Sequence, residues 1–237
     1  MAKFFSLLAF TLFQTAVFAQ SNFDRNLSGG NAFANDINGR PMYLKTEYTA
    51  DGSPYLYEEY CLAEVTMLTG KVYDNVRAKI NLQEKLLIYP LDNGMDMILT
   101  SPISKIKFYS IITQGKAFPE RTFKGHGKAL NDPGGEIYEV MYEDSASTLL
   151  KRVAVTYTDS KAYGEATITR SFRRSTSYFA VVPSSGKELV KVEKDPKRVS
   201  ALFGGKMALV KNFIDQKKFR CKSEDELIEV FKYYGTL

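Results

Sequence analysis

The chain predicts an α+β fold, an antiparallel β-rich body (meander, sandwich or curved sheet) closed by three short C-terminal helices. Three observations carry that prediction. From Glu64 to Tyr109 apolar residues recur at every second position. Alternation resumes after Gly135 in further short segments. Beyond Asp195-Pro196 the apolar spacing changes to three and four residues, the period of a helix.

The 237-residue chain is long enough for one large domain or two small ones. Its first nineteen residues read as a secretory signal peptide. Lys3 supplies the positive start, Phe4 to Phe18 the short apolar core, and Val17-Phe18-Ala19 small residues at −3 and −1, with cleavage before Gln20. The segment is too short for a membrane anchor, and no Cys follows the cleavage site for lipid attachment. An exported protein is therefore expected, periplasmic first, with the cell surface or the medium as alternatives. Losing Lys3 lowers the formal charge from +5 to +4, too mild and too dispersed for a nucleic-acid binder. No later stretch is long and apolar enough for a transmembrane span.

Residues 20–41 are rich in Asn, Gly and Ser and predict a flexible arm. The β-rich domain is expected over 42–194. Tyr43 to Tyr48 alternates as a first strand and Asp51-Gly52-Ser53-Pro54 turns it. Val65 and Met67, then Val76, Ala78, Ile80 and Leu82, then Leu86 and Ile88 mark successive strands. Asp92-Asn93-Gly94 is a hairpin turn, because Asn-Gly tolerates positive φ. Met97, Leu99, Ile103, Ile106 and Phe108 complete an antiparallel meander. Thr113 to Gly135 reads as a long irregular connection. Strands are then expected at Glu136–Tyr142, Leu149–Tyr157, Ala166–Phe172, Tyr178–Val182 and Glu188–Val192.

The helical segment is expected over 195–237. Asp195 caps a first helix with Pro196 at its first position, and Gly204-Gly205 ends it. Met207, Val210, Phe213 and Ile214 stripe the second, and Ser223 with Glu226 forms a capping box for the third. Three short helices cannot bury their faces alone, so they must pack on the sheet.

Gly52-Ser53-Pro54-Tyr55-Leu56, the meander after it, Arg173-Arg174 to Tyr178-Phe179 and the closing Tyr233-Tyr234 resemble a family of uncharacterised exported proteins of Bacteroidota-type bacteria. The resemblance covers residues 52–237 and implies an envelope location, with no catalytic residues to transfer. Gly235 stands where that family's tail has Asn.

Candidate chemistry is sparse. His126, the single histidine, lies between two glycines, and no Gly-x-Ser-x-Gly elbow or cysteine signature accompanies it. One His and two distant Cys do not make a zinc site, and Asp92–Asp96 lacks calcium-loop spacing. No Gly-rich stretch has a phosphate-loop pattern, so no cofactor is expected. Arg170, Arg173 and Arg174 form the sharpest basic cluster. It suits the oxygens of an anionic glycan or lipid, or the charges of a solvated strand face. Alternation sends Arg170 and Arg174 to one side and Arg173 to the other. Cys61 and Cys221 could form a disulfide in an oxidising compartment, with two buried free thiols as the favoured alternative.

The expected function is non-catalytic: an exported envelope protein that binds or assembles with another envelope protein, a glycan or a lipid. The alternative is a periplasmic carrier or sensor of an apolar ligand, held in a cavity between sheet and helices. A hydrolase using scattered carboxylates ranks third.

Overall fold

The computed structural model describes residues 33–34, 37–42, 48–113, 116–164, 166–186 and 188–237. The expected signal peptide, most of the expected arm and most of the strand expected at Tyr43–Tyr48 lie outside them. The fold is α+β, as the patterning predicts. Its strands are β1 (Gly39–Pro41), β2 (Tyr48–Asp51), β3 (Cys61–Met67), β4 (Val72–Asn81), β5 (Leu86–Pro90), β6 (Asp96–Leu99) and β7 (Ile103–Phe108). They continue with β8 (Ile111–Thr113), β9 (Lys116–Phe118), β10 (Arg121–Lys124), β11 (Tyr138–Glu143), β12 (Thr148–Ser160), β13 (Ile168–Val181) and β14 (Val190–Val192). Helices α1 (Pro196–Ala201), α2 (Met207–Lys217) and α3 (Glu224–Gly235) close the chain. Twelve strands form one sheet in the order β1-β6-β5-β4-β3-β7-β10-β11-β12-β13-β14, with β2 parallel to β13. The β8–β9 hairpin stands apart.

Strands β3 to β6 are the meander that alternation predicts, and Gly94, at φ +80°, makes the β5–β6 turn. Strand β7 departs from it by returning across the set to pair with β3. Leu99 and Ile103 are four residues apart, a reach of at most about 14 Å. A flat arrangement would separate β6 from β7 by four strand spacings, about 19 Å. This part of the sheet must therefore curl and bring the end of β6 back toward the start of β7. Asn131 ties them together. Its amide nitrogen donates to the Leu99 and Ser101 carbonyls at 3.1 and 2.9 Å, and its oxygen accepts from the Ile103 N–H at 3.1 Å.

Two expectations are corrected. The connection from Thr113 to Gly135 contains β9 and β10, and its Leu130 is fully buried under the curl. It is a working part of the core. The far end of the expected flexible arm is docked: Phe33, 1% exposed, sits edge-on to Tyr73 and Tyr89, and β1 pairs with β6. One buried aromatic and three strand residues outweigh a polar composition.

The segments expected at Ala166–Phe172 and Tyr178–Val182 are one strand, the fourteen-residue β13. The polar run between them is simply exposed. Strands β12 and β13 pair in unbroken register from Thr148↔Val181 to Ser160↔Thr169.

Side chains fill two cores. The first lies within the curl around Val65, Val76, Ile80, Ile106 and Phe108. The second joins Leu149, Tyr178 and Ala180 of the sheet to Val199, Phe203, Val210, Leu227 and Phe231 of the helices. The first and third helices start as their capping residues predict, and α2 begins without a side-chain cap. Asp195 accepts from the Arg198 N–H at 3.0 Å, and Ser223 and Glu226 complete the box at α3. Gly235 ends α3 against the β11–β12 turn, where an added Cβ would lie 2.1 Å from an Asp144 carboxylate oxygen.

Candidate functional site

The arginine cluster divides as strand alternation requires. Arg170 faces Asp159 across the β12–β13 ladder and binds both carboxylate oxygens, each at 2.7 Å. Its guanidinium lies 4.2 Å from the ring centre of Tyr48 and 3.9 Å from that of Tyr157. Because Tyr48 belongs to β2, this stack bolts β2 to the hairpin. Arg170 in turn holds the Asp159 carboxyl below the usual carboxylate range. Arg174, on the same face, donates to the Tyr55 carbonyl. Arg173 faces the other way, exposed, opposite Thr156 and flanked on its own strand by Ser171 and Ser175. Arg170 and Arg174 are thus bonded to the scaffold and Arg173 is not, although Arg173 and Arg174 are both exposed.

A second set of charges crosses the sheet to the helices. Arg121 on β10 grips Glu139 on β11 with two bonds of 2.5 and 2.6 Å and reaches the Tyr57 hydroxyl at 3.1 Å. Lys151 on β12 lies 3.7 Å from Glu139 and 2.8 Å from Glu224 on α3. The Tyr178 hydroxyl donates to Glu224 at 2.6 Å. Burial alone would raise the Glu224 carboxyl; Lys151 and Tyr178 overcome it and hold it below the usual range. Glu139 is only 7% exposed, so this seam is a partly desolvated fastening between sheet and α3.

A pocket of about 200 Å³ opens just before β11 begins, where the adjoining edge of β12 is uncovered. Its lining combines apolar Leu82, Ile137, Val153, Ala154 and Val155 with polar Gln83 and charged Lys85, Glu136 and Arg152. The Lys85 amine donates to Glu136 at 2.9 Å and to the Gly135 carbonyl at 3.1 Å. The nearest Arg152 nitrogen stands 3.7 Å from the same Glu136 oxygen, beyond hydrogen-bond range. The guanidinium rests over the Phe179 ring at 5.3 Å. Its Nε is buried and meets no acceptor among the described residues. The sequence holds no motif joining residues 85, 136 and 152. The one available signal was Lys151-Arg152 interrupting an otherwise apolar strand.

Cys61 and Cys221 are free thiols in different cores, 3% and 0% exposed. Burial pushes both up to about 11, away from the reactive thiolate. His126 is exposed on its loop. Asp92–Asp96 is the β5–β6 turn, with Asn93 accepting from the Met95 N–H. Among the described residues no group of three or more His, Cys, Asp or Glu side chains is placed to hold a metal. None of their helices is long and apolar enough to cross a membrane. Comparison with known protein families, with curated proteins and with solved structures gave no significant match.

Proposed function

We propose that the protein is an exported, non-catalytic binding or assembly module whose β12–β13 hairpin meets another envelope protein, an anionic glycan or a lipid surface. The observation that carries this is the hairpin's outer half. Its two strands run on past both cores, and the Arg170 stack with Tyr48, Tyr157 and Asp159 stiffens one face. The opposite face carries Arg173 with the hydroxyls of Thr156 and Ser175, while the Ser171 hydroxyl donates to the Asp51 carboxylate of β2 at 3.0 Å. A stiff projection with an open guanidinium among hydroxyls suits phosphate, sulfate or carboxylate groups on a partner. The apolar-carrier reading requires room between sheet and helices. Phe203, Val210, Leu227 and Phe231 occupy that space, each 3% exposed or less, which favours the binding module. This function agrees with the exported family that the chain resembles.

Fractionation of the native cell tests both halves of the proposal. The mature protein is expected to begin at Gln20, to lie outside the cytoplasm, and to sediment with envelope material at low salt. Arg173→Glu should lose that retention, whereas Lys211→Glu on α2 should keep it. Met1 on soluble cytoplasmic protein would overturn the export half. Equal retention of wild type and Arg173→Glu would overturn the role of the hairpin.

A further inference from the structure

Strand β13 is covered along its whole length on one side only. There β12 pairs with it from Thr169 to Val181. On the other side β2 covers Ile168–Ser171 and β14 covers Tyr178–Ala180. Between them Arg173–Ser177 have no strand partner among the described residues, and Arg173 to Thr176 are exposed. Both covering strands turn off at the borders of this gap. Gly52, at φ +79°, leads the chain away from β2, and its Cβ position lies 3.1 Å from the Phe172 carbonyl oxygen. Beyond β14 the chain enters the Asp195 cap of α1. The gap is five residues long, about 17 Å. Every second residue of such an edge offers its N–H and C=O outward, a template for one more strand.

The gap is also positively charged. Arg173 makes no ion pair among the described residues, and Arg174 bonds the neutral Tyr55 carbonyl, so both keep their charge. The acidic neighbours are engaged elsewhere: Asp51 accepts from the Ser171 hydroxyl, and Glu193 lies 3.6 Å from Arg198. Consecutive residues of a strand point to opposite faces, which places one guanidinium on each face of the gap. An added strand alternates in the same way. Two consecutive acidic residues in it therefore meet Arg173 on one face and Arg174 on the other, as cross-strand pairs of opposite charge. A lipid headgroup supplies the charge but no row of donors and acceptors at strand spacing.

We propose that the gap between β2 and β14 takes one extended strand of a partner polypeptide, with two consecutive acidic residues opposite Arg173 and Arg174. Backbone bonds to β13 supply the affinity and the acidic pair supplies the specificity. This rests on the reading of the hairpin as the partner-facing part of the molecule and names the form of that partner.

The test is fluorescence anisotropy with the full mature chain at about 0.15 M salt. Three labelled hexapeptides are compared: Thr-Val-Glu-Glu-Val-Thr, its isomer Val-Glu-Thr-Glu-Val-Thr with both acids on one face, and the first peptide N-methylated at both Val. The first should bind saturably and raise hydrogen-exchange protection of backbone amides within Arg173–Ser177. The isomer should bind about fivefold more weakly. The N-methylated peptide should bind more weakly still, because one methyl replaces an edge-facing N–H in either orientation. Arg173→Ser and Arg174→Ser should each weaken the first peptide about two- to fivefold. Should Arg174→Ser fail to fold, the three peptides on wild type decide. Equal binding of the three, no saturable binding, or no added protection at Arg173–Ser177 would overturn the proposal. Binding of phosphatidylglycerol vesicles or a sulfated oligosaccharide in place of any peptide, abolished by Arg173→Glu, would also overturn it while leaving the role of the hairpin standing. Wild-type behaviour of Arg173→Glu with every probe would overturn both.

Discussion

At the scale of single residues, burial decides which charges matter. Lys211 and Asp215 form an exposed i,i+4 pair on α2 at 3.5 Å, and removing it should change stability by no more than about 0.5 kcal/mol. Glu139 is different, because it stands between Arg121 and Lys151 with little access to water. Glu139→Gln leaves two cations without their shared counter-charge and should cost about 3 kcal/mol in a urea titration. Glu224 gives the same seam a pH dependence. Its folded-state value lies below the ordinary 4.5, so its stabilisation is complete above that pH and is lost as pH falls through the lower folded value. Glu224→Gln should therefore lower stability at neutral pH and make the loss below pH 4.5 shallower than in wild type, as measured by urea titrations at a series of pH values. Gly235 gives a prediction opposite to helix propensity, which favours Ala by about 1 kcal/mol. The Asp144 carboxylate that a new Cβ would strike is held by the Tyr142 hydroxyl and the Ser147 N–H, both at 2.6 Å. It cannot simply step aside. Gly235→Ala should destabilise by about 1–3 kcal/mol in thermal melts.

At the scale of elements, local chemistry explains what the sequence revealed and what it concealed. The α3 cap was legible because its contacts span only a few residues. Ser223 accepts from the Glu226 N–H at 3.2 Å, and Glu226 accepts from the Ser223 and Lys222 N–H groups at 3.4 and 2.9 Å. Ser223→Ala should cost about 1 kcal/mol. Phe231→Ala, at a fully buried position against the Phe203 ring, should cost about 3–5. Similar small effects from both in denaturant titrations would mean that α3 is loosely docked. Alternation likewise revealed β3 to β7 as strands and divided Arg170 and Arg174 from Arg173. It could not reveal that β7 returns to β3, since that pairing depends on a curl closed by Asn131 from about thirty residues away. Strand β10 was hidden because its four residues, Arg121 to Lys124, contain one fully buried apolar side chain, Phe123. The pocket was hidden for a related reason. Lys85 reaches it from a turn, Glu136 from the approach to β11 and Arg152 from β12, and only the sheet order brings them together.

At the scale of the whole molecule, the two cores are distinct units with one cysteine each. Alkylation of the unfolded, unreduced protein should label two thiols, while the native protein should react slowly at pH 8 because burial holds both thiols up to about 11. A single intact-mass measurement on each sample checks this, and an unfolded protein that takes no label would contain a disulfide instead. The placement of these thiols also bears on how the chain would mature if it is exported as proposed. An unfolded chain entering an oxidising compartment exposes Cys61 and Cys221 together, and an oxidase acts on whichever pair of sulfurs meets first. A bond between them would draw at least one sulfur out of the core it helps to fill, trading native packing for a covalent trap. Folding is then a race against oxidation. The first core closes only when β7 and Asn131 arrive, so Cys61 waits through some seventy further residues of chain, whereas the helices that enclose Cys221 form from neighbouring sequence. Yield of active protein would thus be governed by thiol chemistry that leaves no mark on the finished fold.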